Sequence, residues 1–267
     1  FLNALDFLRR PIFFGFFIRF HRTFPFRCPR NYREGLKRPA YMPTKGFTDQ
    51  PFFGPSMPRH AAYQVLDSVI GQKRPLDEVL ENQDRLNALP TRDRAFARSL
   101  VMVVLRRRGQ IDNLISHCLE RKIPRKARGL QNILRLGIAQ VLFLNTAPHA
   151  AVNESVDMTA ELGFTAHKKM VNAVLRRLTR EGQKLISTQD EARLNTPPWL
   201  WDSWTTAYGE DLCRQIAEAH ASEPPLDITV AQDPEIWAKQ LEAKALPTGS
   251  LRRATGGRVT ELPGFEE

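Results

Sequence analysis

Cysteine is scarce in this 267-residue chain. Cys28, Cys118 and Cys213 stand far apart, and no two have Cys-x-x-Cys spacing. A disulfide framework and a cysteine-based zinc site are therefore excluded, no metal is expected, and the pattern fits a reducing cytoplasm. Long apolar runs are also missing. The longest, Pro11–Ile18, falls far short of the ~20 residues that span a bilayer, so no transmembrane segment is read. Acidic side chains are the third deficit: 29 Asp+Glu face 39 Lys+Arg, a balance of +10 with a pI near 9.9. Such a surplus points to a polyanionic partner, either nucleic acid or an anionic membrane surface.

What is present is a chain of ordinary globular hydrophobicity, 42%, long enough for one large domain or two smaller ones. Its charge is unevenly placed: +7 over 1–58, +10 over 59–186 and −7 over 187–267. The first stretch holds nine Phe residues between Phe1 and Phe26, broken by arginines and without a period of 2 or 3.6. Arg9, Arg10 and Pro11 precede its apolar run and no small-residue cleavage site follows, which argues against a signal sequence. Residues 1–58 are expected to be a disordered or non-native leader, with a surface-binding amphipathic segment as the other reading.

Helical periodicity begins after Pro58. Ala62, Val65, Leu66, Val69 and Ile70 form one stripe ending at Gly71, and Pro75 opens a helix with Leu76, Val79 and Leu80 inward. Thr91 is a candidate N-cap for a helix carrying Phe96, Leu100, Val103 and Val104, and Gly109 is expected to break it. Further stripes run over Ile111–Leu119, over Leu130–Leu142 after Pro124, and from Pro148 to Gly163. A last one carries Val171, Val174, Leu175 and Leu178 and is closed by Gly182. Seven short helices without an alternating strand define an all-α bundle over 59–186. Several polar residues fall where an amphipathic helix does not need them: Asn153 and Glu154 beside Val152, Asn172 within Val171–Leu175, and Arg135 in the most apolar helix. A buried amide or charge must find partners or cost a few kcal/mol, so these four read as a structural polar network, with substrate contact as the alternative.

At these positions the chain resembles a known family. Asp93-Arg94-Ala95-Phe96, Ile111-Asp112, Leu134-Arg135-Leu136-Gly137, Ala151-Val152-Asn153-Glu154 and Val171-Asn172-Ala173-Val174-Leu175-Arg176, in that order, are similar to the NusB-like domain. That all-α RNA-binding domain occurs in the transcription antitermination factor NusB and at the front of the RsmB/Sun family. The resemblance implies S-adenosylmethionine-dependent methylation of cytosine C5 in 16S ribosomal RNA for the full-length family. The continuation past residue 186, through Asn195-Thr196-Pro197-Pro198-Trp199-Leu200, looks like the methyltransferase linker rather than a stand-alone antitermination factor. Pro224–Val230 reads as a strand, Pro234–Ala245 as a helix and Arg258–Phe265 as a further strand and turn, giving an incomplete α+β region after the bundle.

The family's chemistry needs a cysteine thiolate, an Asp-x-Pro-Cys segment, a Thr-Cys segment and a Gly-rich cofactor loop, and none is found here. Cys118 and Cys213 read as small core residues and Gly256-Gly257 as a turn, so no catalytic residue and no cofactor site is expected in this segment. The expected function is RNA binding. Three basic groups are the candidates: Arg106, Arg107 and Arg108; Arg121, Lys122, Arg125, Lys126 and Arg128; and Lys168, Lys169, Arg176 and Arg177. Solvated surface and helix capping explain any one of them, whereas five cations in the eight residues 121–128 favour phosphate contact.

Overall fold

The computed structural model describes residues 57–253 and 259–265. The expected leader thus lies outside the described residues, except that Met57 and Pro58 already belong to the first helix. Two compact units follow, one running through Glu223 and one from Pro224 onward.

The first unit is built from helices alone. They are α1 (Met57–Leu66), which runs into a π turn at Asp67–Gly71, α2 (Leu76–Glu81), α3 (Asp84–Asn87), α4 (Thr91–Arg106) and α5 (Arg108–Cys118). After them come α6 (Arg128–Leu142), α7 (Pro148–Glu161), α8 (Lys168–Ile186), α9 (Glu191–Asn195), α10 (Pro198–Tyr208) and α11 (Glu210–Ala221). The all-α reading of 59–186 holds. Periodicity missed α3, a single turn anchored by the fully buried Leu86. Thr91 is the first residue of α4 rather than its cap, because Pro90 occupies the cap position with extended backbone, ψ 151°.

α6 is the axis of the bundle and packs on α1, α4, α5, α7 and α8. It is apolar almost all round, as a helix enclosed by others must be, so Arg135, Asn132 and Gln140 are buried with its leucines and isoleucines. A methyl group on Gly137 would come within 2.8 Å of both Leu175 and Ser155, so the bare backbone there lets α7 and α8 close on the axis. The buried hydroxyls of Ser155 and Thr159 donate back to Ala151 and Ser155 carbonyls at 2.7 Å, which satisfies them within α7.

Gly109 and Gly182 do not end helices: both lie inside them, at contacts that leave no room for a side chain. At Gly109 a Cβ would overlap the Leu194 carbonyl oxygen, and this close approach seats α9 on α5. Gln110 and Asn195 lock it with reciprocal hydrogen bonds of 3.0 and 2.9 Å, and Arg107 reaches Glu191 at 2.7 Å. Around this seam Ala192, Trp201, Cys213 and Ala217 form a second small core. The helices past residue 186 therefore belong to the same compact unit as the bundle.

The second unit is a three-stranded antiparallel sheet in the order β1 (Leu226–Thr229), β3 (Ser250–Arg253), β2 (Lys244–Ala245), packed by α12 (Pro234–Gln240). The strand read at 224–230 is β1. The helix read to Ala245 stops at Gln240, and Val259–Glu261 is a 3-10 turn rather than a strand. β3 went unread because Leu251 is its one fully buried side chain, too little to show an alternation. Asp227 and Arg252 face each other across β1 and β3 in a bidentate pair, 2.7 Å at both contacts.

Two outcomes follow. Replacing Gly109 by Ala in an unconstrained helix adds about 1 kcal/mol of stability. Here G109A is expected to lower stability by about 2 kcal/mol through overpacking, with loss of amide protection in α9; denaturant titration and hydrogen exchange read both. The Arg252 guanidinium, hydrogen-bonded to Asp227, holds that carboxyl below its usual range. Its contribution is thus present above the ordinary carboxylate value and lost as pH falls through the depressed one. D227N is expected to weaken β1–β3 amide protection by about 1 kcal/mol at neutral pH, with the difference from wild type shrinking under acid.

Candidate nucleic-acid interface

Of the four residues expected to form a polar network, the structure gives two a cross-helix partner. Arg135 on α6 is buried and grips Asp112 on α5 through Nε at 2.7 Å and Nη2 at 2.8 Å, while Nη1 donates to Asn132 at 2.8 Å. Glu154 on α7 pairs with the buried Arg59 of α1, whose Nε also donates to Gln140 at 2.6 Å and whose guanidinium lies over Phe96. Burial pushes the Glu154 carboxyl up and the Arg59 guanidinium down, each partly offset by the other. Asn153 is exposed, and the half-buried Asn172 accepts from Arg176 one turn along its own helix at 3.1 Å. Neither amide lies in the core. They resemble core residues in sequence because each adjoins an inward valine, but they point one step further round the helix.

The Arg135–Asp112 clamp joins the middle of α6 to the middle of α5, the two helices that bound the loop carrying Arg121, Lys122, Lys126 and Arg128. These four are exposed, and of Arg125 only the backbone is described. Arg128 lies near Asp67 and draws its carboxyl down against the upward push of burial. The loop leaves α5 beside α8, where Arg177 Nη2 is 3.4 Å from His117 Nε2. It rejoins the bundle at Gly129, which packs on Phe164 just before Lys168 and Lys169 begin α8. The second and third basic groups are thereby neighbours.

Within the third group the roles differ. Lys168 is 3.9 Å from Asp157 and Arg177 is bonded to Glu181, whereas Lys169 and Arg176 are exposed. Arg180, which the sequence reading passed over, is exposed on the same stripe as both; the spacing 169, 176, 180 was its signal. The first group stands apart, at the other end of α5 and about 15 Å away by helical rise. Its middle member, Arg107, is engaged internally by Glu191, Gln110 and the Phe143 ring, while Arg106 is half-buried and Arg108 exposed. The N-termini of α6 and α8 open on the loop side and add positive potential there.

Other chemistries find less support among the described residues. Burial pushes the Cys118 thiol up, and Cys213 is buried with its Sγ donating to the Trp201 carbonyl at 3.7 Å. Cys118 thus lacks the lowered thiol of a nucleophile, and Cys213 lacks its accessibility. No group of three or more His, Cys, Asp or Glu residues is disposed to hold a metal, and no described helix is long and apolar enough to cross a membrane. Among the described residues, the connection from β1 into the seven-residue α12, Val230-Ala231-Gln232-Asp233, has no glycine to cradle a nucleoside cofactor.

A helical bundle whose cations gather on one loop and one helix stripe presents a positive surface, and the bundle resembles known proteins. Residues 56–180 match the NusB family, and the bundle is a NusB-family domain. Beyond it, the chain is 28% identical over 221 residues to the ribosomal RNA small subunit methyltransferase B of Escherichia fergusonii, covering 78% of this chain and 51% of that protein. It is similarly related to the enzymes of the same name from Cronobacter sakazakii, 27% over 222 residues, and Escherichia coli, 28% over 221. The chain thus spans about half the length of the curated relatives it matches, and what it matches is the RsmB/Sun-type arrangement with a NusB-like domain in front.

The clamp gives an asymmetric expectation. Asp112→Ala leaves the Arg135 guanidinium, 7% exposed, without its anion and is expected to cost about 3 kcal/mol. Arg135→Met leaves Asp112, 30% exposed, able to hydrate and is expected to cost about half as much, by urea denaturation.

Proposed function

We propose that this chain is the RNA-binding portion of an S-adenosylmethionine-dependent 16S ribosomal RNA (cytosine-C5) methyltransferase of the RsmB/Sun type, working in the cytoplasm to position small-subunit RNA for methylation. The observation that carries the proposal is the convergence of the loop cations Arg121, Lys122, Lys126 and Arg128 with the α8 stripe of Lys169, Arg176 and Arg180. These side chains are exposed. Among the described residues, Arg176 bonds Asn172, Arg128 lies near Asp67 and Arg180 lies near Glu181. Such a surface binds phosphates and steers RNA without reading its sequence. The match of 221 residues, far longer than the NusB region itself, favours the methyltransferase over a free-standing antitermination factor. The family's S-adenosylmethionine and its reactive cysteines belong, on this reading, to sequence outside these residues.

The test is the salt dependence of binding to a fragment of 16S ribosomal RNA. Six phosphate contacts give a slope of log K against log salt near −4 for single strands. Replacing Arg121, Lys122 and Lys126 together by Gln is expected to make the slope shallower by about 2, whereas Arg107→Gln leaves it unchanged. A slope near zero in the wild type would reject the electrostatic reading.

A further inference from the structure

At the far end of α5 from the basic loop lies a cleft that this surface does not include. It has a volume of about 90 Å3, and Arg106 from the end of α4 lines it together with Asn195, Leu200, Trp204 and His220. Pockets for drug-sized ligands run to ~300–1,000 Å3, so this one suits a single planar group. Among the described residues Arg106 has no hydrogen-bond or ion-pair partner, although it is half-buried. Its neighbour Arg107 is fully engaged by Glu191, Gln110 and Phe143, while Arg108 is exposed and uncommitted. Two cations that the fold leaves free therefore flank one that it uses.

Trp204 and His220 meet edge to face, 5.3 Å between ring centres at 79°, and form an aromatic corner in the same cleft. Free guanidinium beside exposed ring surface is the pairing that holds single-stranded nucleic acid, because every base has a π-face and every nucleotide a phosphate. The acidic side chains nearby do not cancel it. Asp190 and Glu191 are bound to Arg214 and Arg107. Asp211 and Glu218 lie about half a turn round α11 from His220.

We propose that this cleft holds one unpaired nucleotide of the bound RNA, its base against Trp204 and His220 and its phosphate on Arg106. The inference rests on the RNA-binding reading above and adds to it a station that touches a base, on helices outside the NusB-family match. The two stations stand at opposite ends of α5, so a strand crossing from one to the other follows that helix.

The test is photocrosslinking of the full chain to single-stranded RNA carrying 4-thiouridine, with the crosslinked peptides mapped by mass spectrometry. Crosslinks at Trp204 or His220, in addition to those at residues 119–128, are the expected result. Arg106→Ala should abolish the crosslinks at the cleft while keeping those at the loop, weaken binding about tenfold and make the salt slope shallower by about one. Arg106 is half-buried beside Trp204, so a circular dichroism melt checks that Arg106→Ala and the conservative Arg106→Gln keep the fold. Crosslinks confined to the loop and α8, with R106A binding like wild type, overturn the cleft and leave the wider reading standing. Absence of any salt-sensitive RNA binding removes both.

Discussion

An arginine carried through the most enclosed helix of a bundle is a constraint that everything around it must meet. A guanidinium buried in that position needs an anion, and Asp112 supplies one in bidentate geometry from α5 while Asn132 accepts from a third N–H. A pair so placed adds little net stability over a well-packed apolar contact, but it permits one register of α6 against α5 and penalises the others. The loop between those helices inherits that register. Its cations Arg121, Lys122, Lys126 and Arg128 are exposed on the segment that the two clamped helices bound.

A second buried pair, Arg59 with Glu154, serves α1 and α7 in the same way from the other side of the axis. The first pair joins consecutive helices and the second joins helices distant in sequence, and both involve α6, since Gln140 shares Arg59. The bundle thus combines an apolar centre, where Gly137 lets three helices meet closely, with two charged clips that fix their order. Close packing gives cohesion, and the clips give uniqueness.

The helical fold was legible in the sequence because amphipathic stripes and proline starts are local signals, and six of the stripes read from them became helices with little shift. What was not legible depended on partners far along the chain. Gly109 and Gly182 look like terminators when read locally and prove to be contact points. Asn153 and Asn172 look buried beside inward valines and are not, since a single position on a helix turns the side chain by about 100°. The basic groups were each visible as runs, but their division was not: three arginines in a row have the same charge on paper, and only the folded chain shows Arg107 taken up by Glu191 while its neighbours stay free. Arg180 was missed for the opposite reason, because it stands alone in sequence and joins Lys169 and Arg176 only through the helix.

The bare backbone at Gly109 has a meaning for the rest of the chain. A bundle that stopped after α8 would have nothing lying on α5 at Gly109 and would gain from alanine at that place. The glycine is useful only where a later segment, about 85 residues on, comes back to rest there. In this chain, then, the glycine early in the fifth helix is a mark left in the bundle by the helices that follow it.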